Sequence, residues 1–248
     1  MILKSKFMKI AISQPTYIPW IGLFDLIDQA DIFIFYDDVQ IVKQSWDTRN
    51  RIKTHNDVQW LSVGIKHNKN FSKMKFNNTE LNNVNNWRIK HLKTIKNAYI
   101  KSNFFEEVFD WLNELIIDSK YNLLGDFNSN IIKDISSRIG INTVFKNSSM
   151  LNSTKGSKDL RLVSICKELD ADTYISPLGA FNYIEKNNKN GAFQSSETKL
   201  LYQEYKHPEY NQLYGKFISH LSILDLLFNE GFNNSIDIIR SGRGFLEH

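Results

Sequence analysis

Cysteine is nearly missing from this chain of 248 residues, and the single Cys166 excludes both an intramolecular disulfide framework and a cysteine-based metal cluster. It falls in "LRLVSICKEL", an amphipathic helical pattern, where a small buried hydrophobe is expected. No apolar run approaches the roughly 20 residues that a membrane helix needs, so no membrane span is expected. The opening "MILKSKFMKIAIS" has basic residues but neither the apolar core nor the cleavage site of an export signal, which makes the cytoplasm the expected compartment. Met8, just ahead of the first apolar run, would serve as an alternative start. The closing "LEH" resembles the beginning of a cloning-derived histidine tag, so residues 246–248 are set aside. GxGxxG and Walker signatures are absent, and with them the common nucleotide-binding loops. His55, His67 and His207 lie in polar loops without a second ligand at useful spacing, so neither metal nor cofactor is expected. Strong charge of one sign is also lacking. A net +4 spread among asparagines suits an anionic small molecule better than a nucleic-acid track, and no nucleic-acid partner is expected.

What is present describes a folded α/β protein. Hydrophobic residues make up 42% of the chain, enough for a substantial core and against disorder. "MKIAIS" and "DIFIFYDDV" read as buried strands, with "PWIGLFDLIDQA" between them placing Ile21, Phe24, Leu26 and Ile27 on one helical face. That is a βαβ unit. "VQWLSVGIK" is a third strand. Two helices follow, broken near Ser102 and Asn103, and a further helix ends at Gly140. Then come the strand "NTVFKNSSM", the helix "SKDLRLVSICKELD", the strand "DTYIS" and the helix entry "PLGAFNYI". The polar stretch "GIKHNKNFSKMKFNNTELNNV" reads as a surface loop or edge hairpin. The order predicts an α/β fold with an open, mainly parallel, doubly wound (Rossmann-like) sheet and a helical insertion in the middle of the chain. One domain over residues 1–245, with the insertion at about 84–137, is expected.

Chemistry in such sheets gathers beyond the carboxyl ends of the strands. The turn "SQPTYIPWIG" lies there and holds two of the four prolines, Pro15 and Pro19. It is either a rigid corner with Trp20 in the core, or the floor of a pocket to which Gln14, Tyr17 and Trp20 contribute. Asp37 and Asp38 end the second strand at the same edge. Neighbouring strand residues face opposite ways, so at most one of the two can meet a ligand over the turn. In "QSWDTRNRIK", Arg49, Arg51 and Lys53 alternate, so an extended segment aims all three one way beside Trp46. They form either an anion clamp or a solvated edge. His91 shares a helical face with Trp87 and is the candidate general base, against the plainer reading of a packed histidine. "YISPLGAFNYI" offers a second anion-holding loop with Ser176 and Gly179, and Tyr183 follows in its helix. Tyr210 and Gln212 precede an N-cap at Ser222. With Asp225 three positions on, Ser222 approximates a capping box, a structural reading.

Together "ISQPTYIPWIGLFDLIDQAD", "DDVQ", "SWDTRNRIKT", "QWLSV", "WRIKHLKTI", "YISPLGAFNYI" and "YNQLYGKFISHLSILDLLFNEG" resemble the WbqC-like protein family from about residue 9 to 232. The chain departs at "SPLGAF", where Pro177 stands in place of the glycine that relatives often carry after the serine. The resemblance implies work on an unusual sugar in bacterial O-antigen or other surface-polysaccharide assembly. Gln14, Asp38, Arg49, Arg51 and His91 occupy motif positions, and Gln40 completes "DDVQ". The reading that follows is a transferase attaching an acyl or aminoacyl group to a nucleotide-linked amino sugar. Arg49, Arg51 and Lys53 would hold the diphosphate, Trp20 or Trp46 would stack on the base, and His91 or Asp38 would take the proton. Its partners would be the sugar nucleotide and an activated donor, and a homodimer would be unsurprising. Nucleotidyl transfer or adenylate formation on a HIGH-like fold is the alternative, and a non-catalytic sugar-nucleotide-binding or scaffolding protein the second.

Overall fold

A computed structural model describes residues 7–67, 69–152, 156–186 and 188–246. The stretch 1–6, read for a leader, and the suspected tag residues Glu247 and His248 lie outside these. The main sheet is open and runs β5(Val144–Asn147), β2(Ile32–Phe35), β1(Lys9–Ser13), β6(Thr173–Pro177), β7(Lys199–Gln203), all parallel. A short antiparallel β8(Phe245–Leu246) closes the last edge, pairing Leu246, set aside as tag, with Tyr202. β7 was not foreseen. "KLLYQ" is short and polar at both ends, and its register is set by β6, where Tyr174 pairs with Leu200.

Strand alternation separates two cores. Ala11, Phe33, Phe35 and Ile175 face one side, while Ile10, Ile12, Ile34 and Tyr174 face the other. The first side is covered by α1(Ile21–Asp28), α7(Ile223–Ser241) and a central helical region of α2(Trp87–Tyr99), α3(Phe105–Ile117) and α4(Leu124–Arg138). The second is covered by α5(Asp159–Glu168), which buries Leu162, Ile165 and Cys166, and by the short α6(Phe181–Ile184). Burial in that apolar layer pushes the Cys166 thiol up to about 12. α7 kinks at Gly231, which adopts φ +74° and whose lack of a Cβ leaves room for the Phe104 ring. No helix of the described residues is long and apolar enough to cross a membrane.

The segment "VQWLSVGIK" does not join this sheet. Its strand β4(Val58–Ser62) pairs antiparallel with β3(Arg49–Lys53) in a separate hairpin, with Arg51 opposite Trp60. Asn50, Ile52 and Leu61 are the buried side of that hairpin.

Asn50 joins the hairpin to the proline turn. Its Nδ2 donates to the carbonyls of Tyr17, at 3.1 Å, and Ile18, at 2.8 Å, and its Oδ1 accepts from the Arg51 N–H. Asn128 Nδ2 donates to the Pro15 carbonyl, and the Ile223 N–H to the Pro19 carbonyl. Proline brings no N–H, so the turn consists largely of acceptors answered by donors from three other elements. Ile18 sits at φ +36°, a left-handed conformation that strains a β-branched residue. Replacing Asn50 by alanine leaves two buried carbonyls and one N–H unpaired. Asn50→Ala is expected to cost about 2–4 kcal/mol, read as a lower urea midpoint at unchanged slope.

Candidate functional site

In this strand order the chain moves one way from β1 to β2 and β5, then returns to the opposite side at β6. The loops after β1 and β6 part at that point, and a crevice opens between them. A cavity of about 250 Å³ fills it. Ser13 and Thr16 come from the β1 end, Pro177 and Gln203 from the ends of β6 and β7, and Leu23 and Leu26 from α1. Trp20, Trp46 and His220 also line it.

Trp20 lies over the first turn of α1, with its ring where a Cβ on residue 22 would stand; that Cβ would come within 2.3 Å, so Gly22 is required. The indole stacks on His220 at 4.9 Å and on His207 at 6.1 Å between ring centroids. His220 is thus a wall residue that sequence reasoning missed. Burial, and then the nearby Arg51 charge, lower its pKa.

The basic strand divides. Arg51 Nη2 donates to the His220 carbonyl, and its guanidinium lies 5.4 Å from the Trp46 ring and 5.7 Å from the Trp60 ring. Arg49 stacks on Trp60 at 4.2 Å. Trp46 and Trp60 themselves meet at 5.4 Å. Among the described residues neither arginine has a carboxylate partner, and both Nε atoms are buried without a hydrogen bond. Lys53 is different. It is buried, donating from Nζ to Gln212 Oε1 at 3.1 Å and to the Lys216 carbonyl at 2.7 Å. Gln212 is correspondingly spent on Lys53 and on both backbone groups of Ile218.

Other expected residues stand apart from the cavity wall. β2 ends at Phe35, before the aspartates, and both carboxylates then turn to the same Ser148 hydroxyl instead of facing opposite ways. Asp37 also accepts from Asn147, from the Ser149 N–H and from the Ser149 hydroxyl, so it joins the ends of β2 and β5. Asp38 pairs with Arg161 of α5, which also covers the Tyr36 ring. Burial alone would raise the Asp38 carboxyl, but the Ser148 hydroxyl and the Arg161 guanidinium together hold it below the usual range. Gln14 is half-buried just after β1, and Gln40 is exposed and bridged to Lys75. Ser176 is fully buried, whereas Gly179 and Tyr183 are exposed.

His91 is buried, and its Nε2–H donates to the Ser62 carbonyl, which can only accept. Nδ1 therefore accepts the Tyr17 hydroxyl at 2.9 Å. Both nitrogens are engaged in holding the turn to β4. Ser222 caps α7 by accepting from the Leu224 N–H, whereas Asp225 makes no capping box. It is fully buried and accepts from Tyr99 and Tyr210, each at 2.9 Å, which places Tyr210 behind the cavity.

The family comparison agrees with the sequence motifs: the WbqC-like protein family model matches residues 14–236. The chain belongs to the WbqC-like protein family. An uncharacterized protein of Mycobacterium tuberculosis is 34% identical over 224 residues, covering 90% of this chain and 94% of that protein. No solved structure matches. The WbqC-like match takes in every cavity-lining residue except Ser13, which directly precedes it.

His91 and Asp225 titrate in opposition. Burial lowers His91 from 6.5 to about 4. Between those values the unfolded chain binds a proton that the fold excludes, so acid destabilises. Burial raises Asp225 from 3.8 to about 6, against the opposing pull of the Tyr99 and Tyr210 hydroxyls. There the fold binds the proton, so acid stabilises. Each contribution is about 3 kcal/mol over its range, and the two nearly cancel. Urea unfolding at pH 6.5, 5 and 4 is expected to show a steeper acid loss than wild type in Asp225→Asn and a shallower one in His91→Gln. Parallel profiles in all three proteins would contradict this.

Proposed function

We propose that this WbqC-like protein is a transferase that attaches an acyl or aminoacyl group to a nucleotide-linked amino sugar in bacterial surface-polysaccharide assembly. The observation that carries the reading is a small cavity at the topological switch point, beside two arginines that have no carboxylate partner among the described residues. A single sugar ring fits a cavity of about 250 Å³. Arg49 and Arg51 bind the diphosphate outside it, and Trp46 and Trp60 supply flat faces for the base.

The basic strand keeps its proposed role for Arg49 and Arg51 and loses Lys53 to the interior. The proton-accepting role moves from His91 and Asp38 to His220. His91 has no free nitrogen, and the Asp38 carboxylate is weakened as a base by Arg161. His220 lines the cavity as a neutral imidazole, its protonation disfavoured by burial and then by Arg51. The sugar amine attacks the carbonyl of an acyl thioester or acyl phosphate, the C–N bond forms, the thiolate or phosphate leaves with its electron pair, and His220 takes the ammonium proton. Trp20, lying over Gly22, covers the turn where a HIGH-type loop would meet ATP phosphates, which weighs against adenylate formation.

Thermal unfolding against UDP- and dTDP-linked amino sugars, free nucleotides and ATP with Mg²⁺ tests the reading. The amino-sugar nucleotides are expected to raise the midpoint. Arg51→Ala is expected to weaken their binding about 10- to 100-fold, as loss of a charge-assisted hydrogen bond does. A shift with ATP and Mg²⁺ alone would replace this reading with adenylate chemistry. With a substrate in hand, the acid side of kcat/KM should show two limbs, one from protonation of the substrate's own amine and one from His220 lying below the free imidazole value of about 6.5. His220→Gln should remove the second limb.

A further inference from the structure

We infer that Gln203 is the specificity-determining residue of the cavity, presenting a fixed hydrogen-bond acceptor that selects a ligand group carrying an N–H or O–H. Gln203 ends β7 and is buried, yet it lines the cavity. Its amide nitrogen donates twice, to the Gly22 carbonyl at 2.8 Å and to Asp25 Oδ2 at 2.7 Å. Both of those partners are acceptors. Turning the amide over would set Oε1 against a carbonyl oxygen and a carboxylate oxygen, so the orientation is fixed by chemistry and is not an arbitrary choice between look-alike atoms.

Asp25 is held in turn. It is fully buried in α1, and Arg243 Nε donates to its Oδ1 at 2.8 Å while Gln29 donates to Oδ2 at 2.6 Å. Arg243 and Arg240 also pair with Asp28, so the support extends to a second carboxylate one turn on in α1 and to arginines in the last turn of α7 and just past it. With the nitrogen end of Gln203 committed to this network, Oε1 has no hydrogen-bond partner among the described residues, and it is not one of the buried, unpaired atoms. It is the end left for the cavity.

The rest of the wall sharpens the consequence. Pro19, Trp20, Leu23, Leu26 and Pro177 are largely apolar, and the Asn50 amide is spent on the turn and on Arg51, so besides Gln203 the polar side chains of the wall are Ser13, Thr16 and His220. A ligand that enters without a donor covers Oε1 and leaves a buried acceptor unpaired. A ligand that brings one satisfies it. Sites of this kind reject the analogue that lacks the polar group far more strongly than apolar pockets discriminate by size. On the proposed function, on which this assignment of substrate rests, the donor is the amino group of the sugar, and Gln203 directs its lone pair by holding one of its hydrogens.

The test uses phenol and toluene, alike in size and differing in one O–H, so that it does not depend on any nucleotide. Dissociation constants from ligand-observed NMR on the full chain are expected to favour phenol by about tenfold or more. Gln203→Met, similar in shape, should bring the two together, and Leu23→Phe, which narrows the cavity, should weaken both alike. Equal binding to wild type, a preference that survives in Gln203→Met, or no binding of either probe would overturn the inference. Should Gln203→Met fail to fold, Asp25→Asn, which removes one of the two acceptors that fix the amide, should reduce the preference in its place. If phenol is preferred through Gln203 while amino-sugar nucleotides do not bind, the acceptor stands and the nucleotide reading alone falls.

Discussion

The hydrogen bonds from Asn50 to the Tyr17 and Ile18 carbonyls are the constraint on which the rest of the site depends. They hold a β-branched residue in a left-handed conformation, and they do so from an element outside the main sheet. Release of that strain would let the turn relax away from the hairpin. With it in place, the chain enters α1 with Trp20 laid over Gly22, and β3 stands close enough for the Ser222 N–H to reach the Arg51 carbonyl. One amide therefore sets the positions of an indole, two guanidiniums and the start of α7.

The charges fall into two kinds, and the difference is informative. Asp25 and Asp28 with Arg240 and Arg243, and Asp38 with Arg161, are closed pairs whose geometry supports neighbouring groups. Arg49 and Arg51 have no carboxylate partner among the described residues and lie against tryptophan faces. Indoles orient a guanidinium without neutralising it, so the cations stay available to an anion. At the tip of β2, where dinucleotide folds place the acid that reads a ribose, both aspartates are engaged from within by Ser148, Ser149 and Arg161. The open charge lies with the hairpin instead.

What could be read in the sequence was what rests on local periodicity. The helices over Trp87–Tyr99, Phe105–Ile117 and Leu124–Arg138 carry their own apolar stripes, and Arg49 and Arg51 announce a strand face by alternation. Lys53 alternates equally well, but its fate depends on Gln212 and the Lys216 carbonyl, which no spacing around it reveals. The strand stops at Phe35, three residues before Asp38, where the sequence places its end, and both aspartates then turn to Ser148. Gln203 ends a strand defined by its neighbour more than by its own residues. His220 reaches the site from a segment without regular structure. The sheet topology brings these two together, and neither bears a local mark.

That segment, from Glu204 to Leu221, is longer than most connections in compact domains, and irregular loops of such length are usually functional. Its attachments explain how an irregular chain can hold His220 against Trp20. Tyr210 donates to Asp225, Tyr214 donates to the Ala98 carbonyl, and Gln212 accepts from Lys53, so buried polar groups anchor it at three places. Buried partners of this kind are costly to leave unmade, which makes the anchors directional as well as strong. Position at the cavity rim is thus inherited from the interior: Arg51 and Lys53 share one face of β3, and the loop that covers Lys53 through Gln212 and Lys216 is held at its far end by Arg51 at the His220 carbonyl.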